Sequence, residues 1–353
     1  MLADADAQAT VTLRAPGRLH LGFLDPAGSL GRRFGSLGLV INGFETVVEL
    51  SASACDQVTA NGPAAFAEVE RAAACLHRLR QHSGRREPLH LRLLGVLPAH
   101  AGFGSGTQLA LAIARAFAQW HGLDVPTAVL AQWMGRGLRS GIGIAGFDHG
   151  GLLLDGGPGA HGVPAPVLAR IALPQAWRVL VVQDSAHQGL SGADERMGIA
   201  TLAPLPQALA ADICHQVLMR VLPGAASAEF APFAAGITRI QQVLGGHFAP
   251  AQGGSAYTSA AVGRLIESIG SAAGVQGDGA PGAEHRSEPN VAAGQSSWGP
   301  TGFAIVPSQA KAEALVEAAR AANLITPSLT LRILSGRNTG ATLVDLRPTA
   351  GAR

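Results

Sequence analysis

Leu97-Pro98-Ala99-His100-Ala101-Gly102-Phe103-Gly104-Ser105-Gly106-Thr107-Gln108 runs straight into the apolar stretch Leu109-Ala110-Leu111-Ala112-Ile113-Ala114. A glycine-rich loop therefore opens into a helix-forming segment. Small residues let a ligand approach the backbone, and the first N–H groups of a helix have no partner within it. Together with the helix dipole they make a site for phosphate. The plain alternative is an ordinary strand-to-helix turn. Gly102, Gly104, Ser105, Gly106 and Thr107 are the candidate phosphate ligands, and Gln108 a candidate substrate contact.

Composition limits the partners. The 353 residues are 47% hydrophobic, enough for a large core and for two domains. A net charge of +2 gives no basic surface for nucleic acid. Cys55, Cys75 and Cys214 stand far apart, with no CxxC pair, so a reducing cytoplasm is expected. The first residues carry no basic-then-apolar signal pattern, and no apolar run is long enough to cross a bilayer. Lys311 is the only lysine among 26 basic residues. A Walker-type loop needs a lysine after its glycines, so phosphate must be gripped by arginines, backbone amides or a metal ion.

Patterning predicts an α+β chain without regular βαβ alternation. Residues 10–15 alternate as a strand that Pro16-Gly17 should break, and Asn42-Gly43 between 37–41 and 46–50 predicts a hairpin. Helices are expected over 65–81, 106–120, 127–134, 206–221, 227–244, 258–269 and 308–322. Strands are expected over 89–94, 177–183, 301–306 and 329–333. The domain boundary is placed at 173, giving units 1–173 and 174–353. Residues 270–294, rich in Gly, Ala and Ser, are expected to form a mobile loop.

Further polar clusters are candidates for chemistry. Arg18, His20 and Asp25 follow Pro16-Gly17, and Arg32-Arg33 lie between Gly31 and Gly35, where paired guanidinium forks suit phosphate oxygens. A solvated turn is the alternative. Asp148-His149 end the glycine-rich stretch 141–151; Asp148 there suits a base, a metal ligand or a cation stabiliser, or simply binds loop amides. Ser191, ahead of Asp194-Glu195, suits either a helix cap or a substrate loop. Gln295-Ser296-Ser297-Trp298-Gly299 offers donors beside an aromatic ring, for an aryl group or a phosphate, or forms a tight turn. There is no HExxH, no G-x-S-x-G and no Rossmann G-x-G-x-x-G with its acidic partner.

Residues 15–22, 98–107 and 295–303 together resemble the three motifs of the GHMP kinase superfamily. Within it the chain is most similar to the β-ribofuranosylaminobenzene 5′-phosphate synthase family. Gly104-Ser105-Gly106-Thr107-Gln108 carries the difference, since kinase members usually have paired serines and an alanine there. The resemblance implies an N-terminal α+β domain and a ferredoxin-like C-terminal domain. It implies a decarboxylating transfer from phosphoribosyl diphosphate to 4-aminobenzoate or 4-hydroxybenzoate, within tetrahydromethanopterin biosynthesis, in a cytoplasmic homodimer. An ATP-dependent small-molecule kinase is the alternative. Magnesium and no organic cofactor are expected. Asp148, His20 and Arg18 are the implied catalytic set. Arg32, Arg33 and the 102–107 loop would hold phosphate. Asp25, Gln108, His149, Ser191, Gln295, Ser296 and Ser297 would contact substrate.

Overall fold

Two long strands organise the chain: β1 (Thr10–Asp25) and β2 (Phe34–Ala52) pair antiparallel along nearly their whole length. Alternation on β1 sends Val11, Leu13 and Ala15 into one core. The register then shifts between Pro16 and Arg18, and Leu19 and Leu21 enter a second core. Pro16-Gly17 thus marks a bulge and not the expected strand end. The hairpin expected at Asn42-Gly43 is also absent. Both flanking runs pair with β1 inside one continuous β2, and Gly43 adopts a positive φ of 82°. Asn42 is used differently: its amide nitrogen donates to Ser335 Oγ at 2.9 Å and to the Gly336 carbonyl at 3.2 Å. Long-range pairing has overridden the local turn signal.

The computed structural model describes residues 9–159, 163–189, 197–198, 201–272 and 290–348. The first sheet adds β3 (Gln57–Ala60), β4 (Leu89–Gly95), β5 (Leu152–Asp155) and β6 (Val167–Ile171). Its helices are α1 (Pro63–Phe66), α2 (Val69–Ser83), α3 (Ser105–Trp120), α4 (Thr127–Trp133) and α5 (Ile142–His149). Residues 108–114 of α3 are all buried, so this helix is central and not a surface element. Leu111, Ile113 and Phe117 are fully buried, each contributing about 1.5–3 kcal/mol. That burial fixes where the start of α3 can point. The glycine-rich stretch read as a loop at 141–151 is mostly α5.

The second sheet is β7 (Arg178–Asp184), β8 (Ala292–Gln295), β9 (Thr301–Val306) and β10 (Leu329–Ser335), in the order β10-β7-β9-β8 and antiparallel throughout. Helices Gln207–Gln216, Phe230–Phe248 and Ala260–Ala272 lie between β7 and β8, and Gln309–Ala321 between β9 and β10. The run is therefore β-α-β-β-α-β. Two expectations are corrected at its ends. Residues 270–272 are helical and 292–294 are strand, so neither belongs to a loop; 273–289 lie outside the described residues. The tail does not stay with 174–353 either: β11 (Thr342–Asp345) pairs with β1 in the first sheet. Backbone bonds lead it there, from Arg337 N to Val40 O at 2.8 Å and from Ala341 N to Phe147 O at 2.7 Å. Arg347 then holds the Trp120 carbonyl at 2.6 Å. Among the described residues no helix is long and apolar enough to cross a membrane.

Deleting residues from 342 onward should lower the unfolding free energy by roughly 0.5–1.5 kcal/mol per hydrogen bond lost. Urea unfolding of the shortened chain measures this, and an unchanged midpoint would contradict the return of the tail.

Candidate active site

The start of α3 is set by Gly104, which is left-handed (φ 73°) and offers no side-chain cap. The first helical bonds run from Thr107 N and Gln108 N to the Gly104 carbonyl. The amides of Ser105 and Gly106 come before that first turn closes, and so are the helix's natural anion donors. Two arginines stand against this start. A Cβ at Gly104 would lie 2.8 Å from the Arg18 guanidinium carbon, and one at Gly106 would lie 3.4 Å from Arg136 Nη1. The two glycines therefore leave the space that two guanidinium groups fill.

These groups open on a cleft of about 580 Å³. Arg18, Arg71, Arg136 and Arg139 line it, with the α3 start on one side and Ser297–Gly299 on the other. No carboxylate is among its described lining residues. Arg71 is paired with Glu68 at 2.9 Å behind the wall. Arg136 Nε is buried without a hydrogen-bond partner, and burial holds the guanidinium pKa below its ordinary value. An anion in the cleft would relieve both conditions.

Asp155 places the far wall. Its carboxylate accepts from Ser140 Oγ (3.1 Å), Gly141 N (2.7 Å) and Ile142 N (3.2 Å), and from Ser36 N and Gly157 N. It thereby pins the start of α5 and the Arg139-Ser140 turn. Burial pushes its carboxyl above the usual carboxylate range, against the pull of these donors. Gln108, expected at substrate, is buried instead; its Nε2 donates to the Gly143 carbonyl at 2.9 Å and ties α3 to α5.

The wall opposite comes from the second sheet. Ser296 is fully buried; its hydroxyl donates to the Gly102 carbonyl (2.8 Å) and accepts from His20 N (3.0 Å). A Cβ at Gly102 would strike the Ser296 carbonyl, and one at Gly299 would strike the 101–102 backbone. The seam between the halves is thus backbone against backbone. Gln295 is consumed in holding it: its carboxamide bonds Thr258, Gln252 and the Ser297 carbonyl. Ser296 and Gln295 are therefore structural at this point, while Ser297 reaches the cleft with a φ of 55°. His20 also lines the cleft, 5% exposed, with Nε2 buried and unpartnered. Burial, then Arg18 and Arg139, lower its pKa to about 3, so the imidazole is neutral.

Several expected site residues lie elsewhere. Asp148 and His149 are exposed as the last two residues of the eight-residue α5, and the helix, rising about 1.5 Å per residue, carries them away from the cleft wall at its start. Asp148 accepts from Thr127 Oγ1 at 2.7 Å. Asp25 caps its own turn, accepting from Ala27 N, Gly28 N, Ser29 Oγ and Leu30 N. Arg32 and Arg33 are exposed beyond that turn, with Arg33 Nε on the Pro26 carbonyl at 3.0 Å and its guanidinium over Phe34. Neither is among the residues lining the cleft. Ser191, with Asp194 and Glu195, lies outside the described residues. Arg71, Arg136 and His100 were not singled out by the sequence; the flanking glycines of Gly135-Arg136-Gly137 are the one signal for that arginine. Magnesium finds no described carboxylate here, and among the described residues no group of three His, Cys, Asp or Glu side chains could hold a metal ion.

Comparison with known proteins fits this geometry. Residues 69–151 match the family model of the GHMP kinases N terminal domain. A β-ribofuranosylphenol 5′-phosphate synthase from Methanothermobacter thermautotrophicus is 30% identical, over 94% of this chain and 98% of its own length. A synthase of the same name from Archaeoglobus fulgidus is 35% identical, over 65% of this chain and 75% of its own. A homoserine kinase structure from Cytophaga hutchinsonii superposes with a TM-score of 0.65 at 15% identity, covering 98% of this chain and all of that one, and so shares the fold. An arginine-walled cleft at an uncapped helix start, on a GHMP-type scaffold, accompanies similarity to enzymes of one name, in one case over nearly the whole chain: the chain belongs to the β-ribofuranosylphenol 5′-phosphate synthase family.

Proposed function

We propose that the chain joins the ribosyl 5-phosphate of phosphoribosyl diphosphate to the ring of an aryl acid. The observation that carries this is the wall of four arginines around the α3 start, with no carboxylate among its described residues. The relatives' name specifies a phenol, which makes 4-hydroxybenzoate the first acceptor to test, beside 4-aminobenzoate. The sequence resemblance associates such a step with tetrahydromethanopterin biosynthesis. The kinase alternative has less support, because the named relatives are synthases and the single lysine, Lys311, lies on helix Gln309–Ala321 and not on the cleft.

The chemistry asks for charge stabilisation above all. The anomeric C–O bond breaks with its electron pair passing to diphosphate, and positive charge grows on the ribose. Arg18, Arg136, Arg139 and the first amides of α3 are preorganised for that leaving anion. The ring carbon bearing the carboxylate forms the new bond to the anomeric carbon. The bond to the carboxylate then breaks, and its electron pair restores the aromatic ring as CO2 departs. Both substrates react as anions and no net proton moves, so no general base is required. A neutral His20 fits this: it can orient a group at the cleft wall without carrying charge. Alignment of ring and anomeric carbon is the remaining task.

With phosphoribosyl diphosphate and 4-hydroxybenzoate or 4-aminobenzoate, CO2 and diphosphate should appear in equal amounts, measured by coupled assay. ADP formation from ATP without CO2 would contradict the reading. Arg136→Ala should weaken diphosphate binding about 10- to 100-fold, the loss of one or more charge-assisted hydrogen bonds, while Arg33→Ala leaves it unchanged. Calorimetric titration with diphosphate separates the two; equal effects would return Arg33 to the site.

The neutral state of His20 also has a stability signature. Its folded pKa of about 3 lies below the ordinary histidine value of 6.5, so the unfolded chain binds the extra proton between those values. His20 therefore contributes fully above pH 6.5, and the contribution is lost as pH falls toward 3, by up to about 1.4 kcal/mol per pH unit. His20→Gln should flatten the urea-measured stability profile between about pH 6.5 and 5. An unaltered slope would mean that the ring is charged or exposed.

A further inference from the structure

A second recess, of about 40 Å³, adjoins the arginine cleft, with room for one polar substituent but not for a whole aromatic ring. The two share His20, Phe23, Ser297 and Trp298 as a common wall. Beyond that wall the recess changes character. Leu244 and Phe248, from helix Phe230–Phe248, form its apolar sides, and no arginine or carboxylate is among its described lining residues. Phe248 and Trp298 are a tilted pair with ring centroids 4.8 Å apart, and His20 and Phe23 are another at 4.5 Å. Gly22 lets β1 approach this helix, since a Cβ there would lie 2.6 Å from Leu244 Cδ1. Gln252 and Gln295 also line the recess but not the cleft, joined by a hydrogen bond of 2.9 Å from Gln295 Nε2.

We propose that the benzoate ring of the acceptor lies against the wall shared by cleft and recess, with its carboxylate-bearing carbon toward the arginines and its para hydroxyl or amino group entering the recess toward Gln252. The inference rests on the transfer proposed above and adds the place of the second substrate. Three constraints meet there. A benzene ring prefers offset or tilted aromatic neighbours, which two pairs supply. The attacking carbon must face the ribose, whose diphosphate belongs among the arginines; the para position is the opposite pole of the ring and so points away from them. A polar para substituent then needs a polar neighbour, and Gln252 brings a carboxamide to that side of the recess. His20, buried and unpartnered at the common wall, is a positioning residue between the two substrates.

Ala256 lines the recess, is exposed, and lies outside the cleft, so enlarging it fills the recess without burdening the fold. Ala256→Leu should raise the KM for 4-hydroxybenzoate at least tenfold while phosphoribosyl diphosphate binds unchanged in a titration without acceptor. Phe248→Ala should weaken the acceptor in the same selective way. Unchanged acceptor KM in both variants, or equal weakening of donor and acceptor, would overturn the assignment. Direct titration of 4-hydroxybenzoate into both proteins separates this proposal from its parent. If the unsubstituted enzyme binds the acid but makes no C-riboside, the transfer reading fails, and loss of that binding in Ala256→Leu still supports the recess. No binding to the unsubstituted enzyme, loaded with donor or not, would contradict the recess itself.

Discussion

Arg18 against Gly104 and Arg136 against Gly106 are the contacts on which the site depends. A helix start attracts an anion modestly when exposed, roughly 0.3–1 kcal/mol, and more when partly buried. Guanidinium groups packed beside it raise that attraction and give it geometry, because each planar fork meets two oxygens. They can stand so close only where the helix has no side chain. The residue pattern Gly-Ser-Gly is thus a steric requirement of the arginines as much as of the ligand. Burying α3 on all sides keeps that start from moving, and Asp155 keeps the Arg139 turn opposite it.

The rest of the fold serves to close the cleft from the other side. Ser296 bridges the Gly102 carbonyl and the His20 amide, so one hydroxyl joins the loop before α3, β1 and the second sheet. Gly102 and Gly299 allow those backbones to touch. The return of β11 to β1 binds the end of the chain into the first sheet. A cleft between two sheets is therefore fixed by a seam of backbone contacts.

The sequence was legible where the signal was local. The loop into α3, the buried strands β4, β7 and β9 and the capped helix after Ser308 all follow from period, glycine and capping. It misled where a distant partner decided. Asn42-Gly43 has the composition of a hairpin but pairs with Ser335 and Gly336, 293 and 294 residues away. Asp148 and Asp25 look reactive in a glycine-rich setting, yet Thr127 and a tight turn occupy them. Arg32-Arg33 carry the right chemistry in the wrong place. Arg71 reaches the cleft from α2, which no linear pattern announces, and Arg136 is marked only by the glycines on either side of it.

In the proposed reaction diphosphate lies at the start of α3, between Arg18 and Arg136. A crystal structure with phosphoribosyl diphosphate bound tests it most directly. Diphosphate oxygens are expected within hydrogen-bond distance of the Ser105 or Gly106 amide and of both guanidinium groups, with the anomeric carbon facing His20. Diphosphate bound instead at Arg32 and Arg33, or against Asp148 at the far end of α5, would contradict it.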